Sequence, residues 1–344
     1  MIFKLLLLII VFIATYIMLT TRDPDTRDAD TKTIINVENF TKAETYMYMK
    51  KFFQKIQKTN TFFHYRDFET DNTVIRMNLD TLYSLAIIDT SQGDIKLNIP
   101  NINDRYMSCC VLDEYHYEVF YTTKGGKYKF PQSTKYLVCL IRIFVKDKSN
   151  EREIKHVNKL QDQFLIEADN YSTTLSLPEL DITSYEQTKQ LVNSLFETAP
   201  TMSSVGMFGK RGEVNELKHL MGVNMGWGGL SESQAMYVSI YPDNNDGIQE
   251  YSLSFRDVPV KAFWSIIIYD KEGFIIPGER QSLNNFTATK NTDNSYTINF
   301  SNDPTKINQL PIVSGWNYTI RMYEPREEIL VGKWSFPALV KEPL

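Results

Sequence analysis

The chain has 344 residues, of which 42% are hydrophobic and 13% aromatic, enough for two domains with cores of their own and unlike the make-up of a disordered chain. A net charge of −5 argues against a nucleic-acid binder, which presents a basic patch or stripe. Three cysteines, Cys109, Cys110 and Cys139, build no disulfide framework; neighbours on a strand point to opposite faces, so at most one of the first two could reach Cys139, and all three read as buried thiols.

In chain order, Lys4 precedes an uncharged run over residues 5–21 that Arg22 and Asp23 close. As a helix it reaches roughly 25 Å, a little short of the ~30 Å hydrocarbon core, so it is a signal peptide or a short signal-anchor. No small-x-small site follows the apolar core, which favours an uncleaved single-pass anchor with the folded part outside the cytoplasm. Cleavage there would instead make the protein secreted. Residues 22–30 are polar and read as a linker.

Thr41 with Glu44 forms a capping-box pattern, and Tyr46, Met49, Phe53 and Ile56 recur at helical spacing, predicting a helix over 41–58. Short apolar runs at 82–89, 95–99, 106–112, 115–121 and 136–145, separated mostly by Gly, Asn, Asp or Pro, predict an antiparallel β-rich domain over 31–182. A helical connecting segment is expected over 183–226, with Leu191, Val192 and Leu195 on the inner face of its first helix and a second helix over 213–221 stopped at Gly222.

The last domain, 227–344, is organised on residues 251–270. Tyr251, Leu253 and Phe255 alternate with polar residues, as in a strand with one buried face, and 262–269 is apolar on both faces, as in a central strand. Strands are also expected at 296–300, 315–323 and 331–340, with a hairpin or loop over 283–294. The fold class is therefore mainly β with inserted helices, in two β-sandwich-type domains.

The chain contains no G-x-S-x-G elbow, no G-x-x-x-x-G-K-[ST], no H-E-x-x-H and no C-x-x-C pair, so neither a cofactor nor a resident metal is expected. One polar constellation stands out. Strand alternation over 113–118 would put Glu114, His116 and Glu118 on one face, where they could ligate a metal or move protons, although a solvated polar face reads as well. Asp80 could act as a general base, but an Asp just before a strand more often holds a turn. Asn39, Asn170, Asn285, Asn299 and Asn317 open N-x-[ST] triplets, acceptors for glycosylation only where host and compartment permit it.

Residues 78–115, with Asp80-Thr81-Leu82-Tyr83-Ser84, Asp89, Pro100, Arg105-Tyr106 and Asp113, resemble the N-terminal module of a widespread two-domain exported family, the domain of unknown function twelve-fifty-four. Trp227-Gly228-Gly229-Leu230, Ala235, Tyr237, the 251–255 strand, Pro259, Phe263-Trp264-Ser265, Tyr269-Asp270, Arg321-Met322-Tyr323-Glu324-Pro325, Gly332 and Trp334 resemble its partner module, twelve-fourteen. Gln281 and Gln309 depart from the aromatic residues usual there. The resemblance implies two β-rich domains, the second jelly-roll-like, in a family with relatives in bacteria and some large DNA viruses, and it supplies no reaction. Two expectations follow: a module that binds carbohydrate or protein, favoured here, or an enzyme acting on a small molecule or glycan in an inter-domain cleft, with Asp80, Tyr83, Arg105, Asp113 and His116 as candidates. If the motif is architectural, Asp80 should accept from its own turn and Arg105 should pair with Asp80, Asp89 or Asp113.

Overall fold

The computed structural model describes residues 32–68, 76–198, 203–278 and 280–343, so the expected membrane segment and linker lie outside the described residues. Among the described residues no helix is long and apolar enough to cross a membrane.

The N-terminal half is built on a five-stranded antiparallel sheet in the order β1 (Phe63–His64), β2 (Thr81–Asp89), β7 (Tyr136–Phe144), β4 (Met107–Leu112), β5 (Glu118–Thr122). Alternation gives it two apolar faces. Ala86, Ile88, Val111, Leu137, Cys139 and Ile141 face a smaller sheet, β6 (Gly126–Lys129), β3 (Lys96–Ile99), β8 (Leu165–Glu167), and helix α2 (Glu151–Gln161). Leu85, Ile87, Cys110, Val138 and Leu140 face helices α1 (Phe40–Ile56), α3 (Ile182–Glu197) and α4 (Glu216–Gly226). All three cysteines are free and buried, as small apolar residues would be.

The C-terminal half packs two four-stranded sheets face to face. One is β12 (Ser282–Asn284), β11 (Trp264–Tyr269), β15 (Asn317–Tyr323), β9 (Ala235–Ile240); the other is β14 (Gln309–Leu310), β13 (Tyr296–Phe300), β10 (Tyr251–Phe255), β16 (Val340–Lys341). β11 is wholly buried between β12 and β15, as a strand apolar on both faces must be. Its Trp264, Ile266 and Ile268 enter the sandwich core beside Ile320 and Met322 of β15, whereas Ile267 and Tyr269 pack with Leu79 of the N-terminal half.

Some local expectations fail for identifiable reasons. Thr41 and Glu44 form no capping box: α1 begins at Phe40, and Glu44 is buried against the Tyr185 hydroxyl and Lys189. On α3 Val192 points inward as expected, with Tyr185 and Thr188, whereas Leu191 and Leu195 are exposed because the buried face runs through 185, 188 and 192. α4 runs through Gly222, whose missing Cβ lets Met207 and Phe208 pack against it. The terminal strand expected over 331–340 shrinks to β16, because residues 331–334 turn after the short helix α5 (Glu327–Leu330) and 335–339 pair with no strand.

Candidate functional site

The face of the larger N-terminal sheet that carries Tyr83, Leu85, Leu140 and Arg142 meets the outer face of the β12–β11–β15–β9 sheet across a cavity of about 990 Å³. Helices α1 and α4 and the loop around 203–208 close its sides. One wall is aromatic. Trp227 stacks on Tyr48 with ring centroids 4.7 Å apart, meets Phe52 edge-on at 5.4 Å, and donates from its indole to Thr45 Oγ1 at 3.2 Å.

Into this apolar space each half sends one arginine and one tyrosine from adjacent strands. Tyr83 of β2 lies opposite Arg142 of β7, and Tyr237 of β9 lies opposite Arg321 of β15. Side chains opposed in a ladder share a face, so both pairs face the gap. Arg142 donates to Gly228 O; Arg321 donates to Arg76 O at 2.8 Å and to the Tyr269 hydroxyl at 2.7 Å. On each guanidinium Nη1 has no partner. Asn78 bridges the two halves, donating to the Tyr323 hydroxyl at 2.9 Å and to that of Tyr83 at 3.3 Å.

The electrostatics follow from burial beside cations. Burial raises the Tyr83 phenol, but the charge of Arg142 and hydrogen bonding with Asn78, Arg142 and Thr81 outweigh it, and the group ends below its ordinary value. For Tyr237 burial wins against the pull of both arginines and the phenol is raised to about 12.

Gly228 ties this site to His116. Its backbone N–H donates to His116 Nε2 at 2.7 Å, while its carbonyl receives Arg142. Burial, then the neighbouring His219, holds the His116 imidazole well below its usual value and therefore neutral, as an acceptor must be. Gly228 has φ of +84°, a left-handed conformation that glycine adopts at no steric cost.

Of the residues singled out from sequence, only Tyr83 lines the cavity. Residues 113–117 form a turn and not a strand, with His116 at φ of +65°, so Glu114, His116 and Glu118 do not share a face. Glu114 accepts from Tyr46 Oη at 2.8 Å and from Tyr136 N at 3.0 Å, and Glu118 accepts from Gln234 at 2.5 Å. Among the described residues no group of three His, Cys, Asp or Glu side chains could hold a metal. Asp113 caps its turn, accepting from the N–H groups of Tyr115 and Tyr117, both at 2.9 Å.

Asp80 accepts nothing from its own turn through its side chain; Oδ2 takes the Ser265 hydroxyl at 2.5 Å and Oδ1 has no partner. Arg105 pairs with none of the three expected carboxylates but with Glu153 at 2.6 Å and Asp104 at 2.8 Å. These are structural roles at separate places.

The site residues that the sequence reading missed, Arg142 and Arg321, carried a signal. Each is the single charged residue in a strand otherwise buried from end to end. A cation kept there needs a reason.

The chain matches two family models, each described as a protein of unknown function: DUF1254 over residues 59–130 and DUF1214 over 234–327. It thus carries the two modules in tandem, in the order expected. No curated protein matches. Among solved structures, the VPA0106 protein from Vibrio parahaemolyticus is similar in fold, with a TM-score of 0.69 at 16% identity over 89% of this chain and 98% of that one. An uncharacterised protein from Burkholderia cenocepacia follows, with a TM-score of 0.53 at 12% identity over 88% and 87% of the two chains.

Proposed function

We propose that this tandem DUF1254–DUF1214 chain binds a small molecule with an apolar body in the cavity between its two halves. The observation that carries this reading is the cavity itself: about 990 Å³, walled by both halves, mostly apolar and aromatic, with a few polar groups converging from facing sheets. Small-molecule sites have that character, and inter-domain clefts are where they commonly form. The favoured expectation, a module presenting a surface to carbohydrate or protein, finds less support than the inter-domain cleft, because Tyr48, Phe52 and Trp227 gather inside this space.

Titration with Nile red, a neutral dye that brightens in apolar surroundings, tests it. Saturable binding at one site per chain is expected. Met225→Trp on α4 and Ser239→Trp on β9, each filling the space from a different wall, should abolish it. Binding that never saturates, or that both variants retain, would defeat the reading.

One observation favours a chemical step after binding. Tyr83 has an acidified phenol, lies against a guanidinium and lines the cavity, which suits it to give or take a proton. Tyr83→Phe would then abolish turnover of the ligand while Nile red still binds the cavity.

We also propose that residues 5–21 anchor the folded part to a membrane from the extracytoplasmic side. The uncharged run supports this. Full-length protein that stays in the aqueous phase on detergent partitioning, with its N-terminus intact, would contradict it.

A further inference from the structure

We infer that the ligand of this cavity is an amphipathic organic acid whose carboxylate is held at the two arginine–tyrosine pairs; this rests on the reading that the cavity takes a small molecule. Arg142 is 5% exposed and Arg321 4%. Among the described residues no carboxylate lies within 4.0 Å of either guanidinium. Arginine cannot shed its proton to escape such a place, and a buried charge without a counter-charge costs several kcal/mol. Phenol faces and carbonyls offset part of that. The Arg142 guanidinium lies 5.3 Å from the Tyr83 ring and donates to Gly228 O, and Arg321 lies 5.7 Å from the Tyr269 ring.

What remains on each side is one buried Nη1 with no hydrogen-bond partner among the described residues, fixed by the bonds its sister nitrogen makes. Both guanidiniums line the same cavity. Among the described lining residues Arg76 adds a third guanidinium to Arg142 and Arg321, and Asp67 is the one carboxylate. Asp80 lies outside the lining, accepts from the Ser265 hydroxyl and acts on Arg321 by its charge. Arg142 has no such acid: the groups acting on it are the phenols of Tyr83, Tyr237 and Tyr106 and the thiol of Cys110. The head group therefore belongs nearest Arg142.

A carboxylate fits better than a phosphate. It is planar, carries one charge and meets a guanidinium edge-on, whereas a phosphate has more acceptor oxygens and wants backbone N–H groups around it. The apolar tail would lie along Phe52, Trp227, Leu85 and Met225.

The test displaces Nile red from the full folded chain with decanoate, decanol, decylamine and decyl phosphate. Decanoate should compete at least about tenfold better than decanol, the worth of one charge-assisted hydrogen bond, and decylamine should compete worst. Arg142→Met should bring decanoate down to the level of decanol while Nile red still binds. If that variant gives no cooperative melt, Arg142→Lys, which keeps the charge and loses the planar fork, should weaken decanoate about fivefold or more. Equal competition by decanol and decanoate, or an Arg142 variant with unchanged preference, overturns the inference and leaves the cavity reading standing. Decyl phosphate binding more tightly than decanoate overturns the carboxylate in favour of phosphate. Nile red that does not bind the wild-type chain overturns both readings.

Discussion

Tyr83 and Arg142 stand directly opposite each other in the β2–β7 ladder, with the guanidinium carbon 5.3 Å from the centre of the phenol ring. The pair sits on a sheet face that is otherwise core, between Leu85, Leu140 and Phe144. Tyr237 and Arg321 repeat the arrangement on the facing sheet. Neither guanidinium forms a salt bridge with a carboxylate of the described residues, and both line the cavity.

The contrast between Arg142 and Arg105 is measurable as stability. Arg105 has a 2% exposed side chain in contact with Glu153, 14% exposed, and Asp104, 50% exposed, so Arg105→Met removes charge-assisted hydrogen bonds to part-exposed carboxylates and should cost about 2 kcal/mol. Arg142→Met breaks no bond to a carboxylate, loses a bond to one carbonyl and removes an unpaired charge, and should change stability by less than about 1 kcal/mol or raise it. Thermal melts of both variants at neutral pH decide this. Equal losses would make Arg142 a structural residue.

Asp80 gives a pH-dependent result. Burial raises its carboxyl despite the Ser265 hydroxyl and the charge of Arg321. The native state therefore holds this proton more tightly than the unfolded chain, and stability falls as pH rises from the ordinary carboxyl value of 3.8 through the raised native one. Asp80→Asn should accordingly melt higher than wild type at pH 7, with the gap closing in acid. A lower melting point at pH 7 would show that Arg321 depends on this charge.

His64 works in the opposite sense. Burial, aided by Arg66, lowers its imidazole from 6.5 to about 4, with Nδ1 2.8 Å from the Ser84 hydroxyl. Between those values the unfolded chain binds a proton that the native state refuses, so stability is lost as pH falls from 6.5 towards 4. Allowing for its part exposure, the loss by pH 5 is roughly 1 kcal/mol. Urea titrations should show His64→Gln free of it; an unchanged acid slope in the variant would place the effect elsewhere.

Gly228 joins three functions in one peptide: left-handed backbone, donor to His116 and acceptor from Arg142. In Gly228→Ala a Cβ would sit 3.3 Å from Leu140 Cδ1, and the φ of +84° adds strain of about 1–2 kcal/mol. The variant should lose about that much stability and bind decanoate more weakly than decanol relative to wild type. Retained preference for the acid would show that the carbonyl does not set the arginine.

Much of the fold was legible because strand alternation is a local property. The β10 run Tyr251–Phe255 and the all-apolar β11 could be read residue by residue, and the structure buries them accordingly. The site was less legible because it is a relation between sheets. Tyr83 was found through its motif, but nothing local says that it opposes Arg142 across a ladder. β9 is an apolar run apart from Ser239, but nothing local says that its Tyr237 opposes Arg321 across a ladder. The Glu114–His116–Glu118 reading failed because alternation was extended through a turn that the left-handed His116 breaks.

The most direct measurement is a crystal structure of the folded chain grown with saturating decanoate. The account predicts electron density for one decanoate in the inter-domain cavity, its carboxylate within hydrogen-bond distance of Arg142 Nη1 and its tail along Phe52 and Trp227. A cavity left empty at saturation, or decanoate bound only elsewhere on the chain, would contradict it.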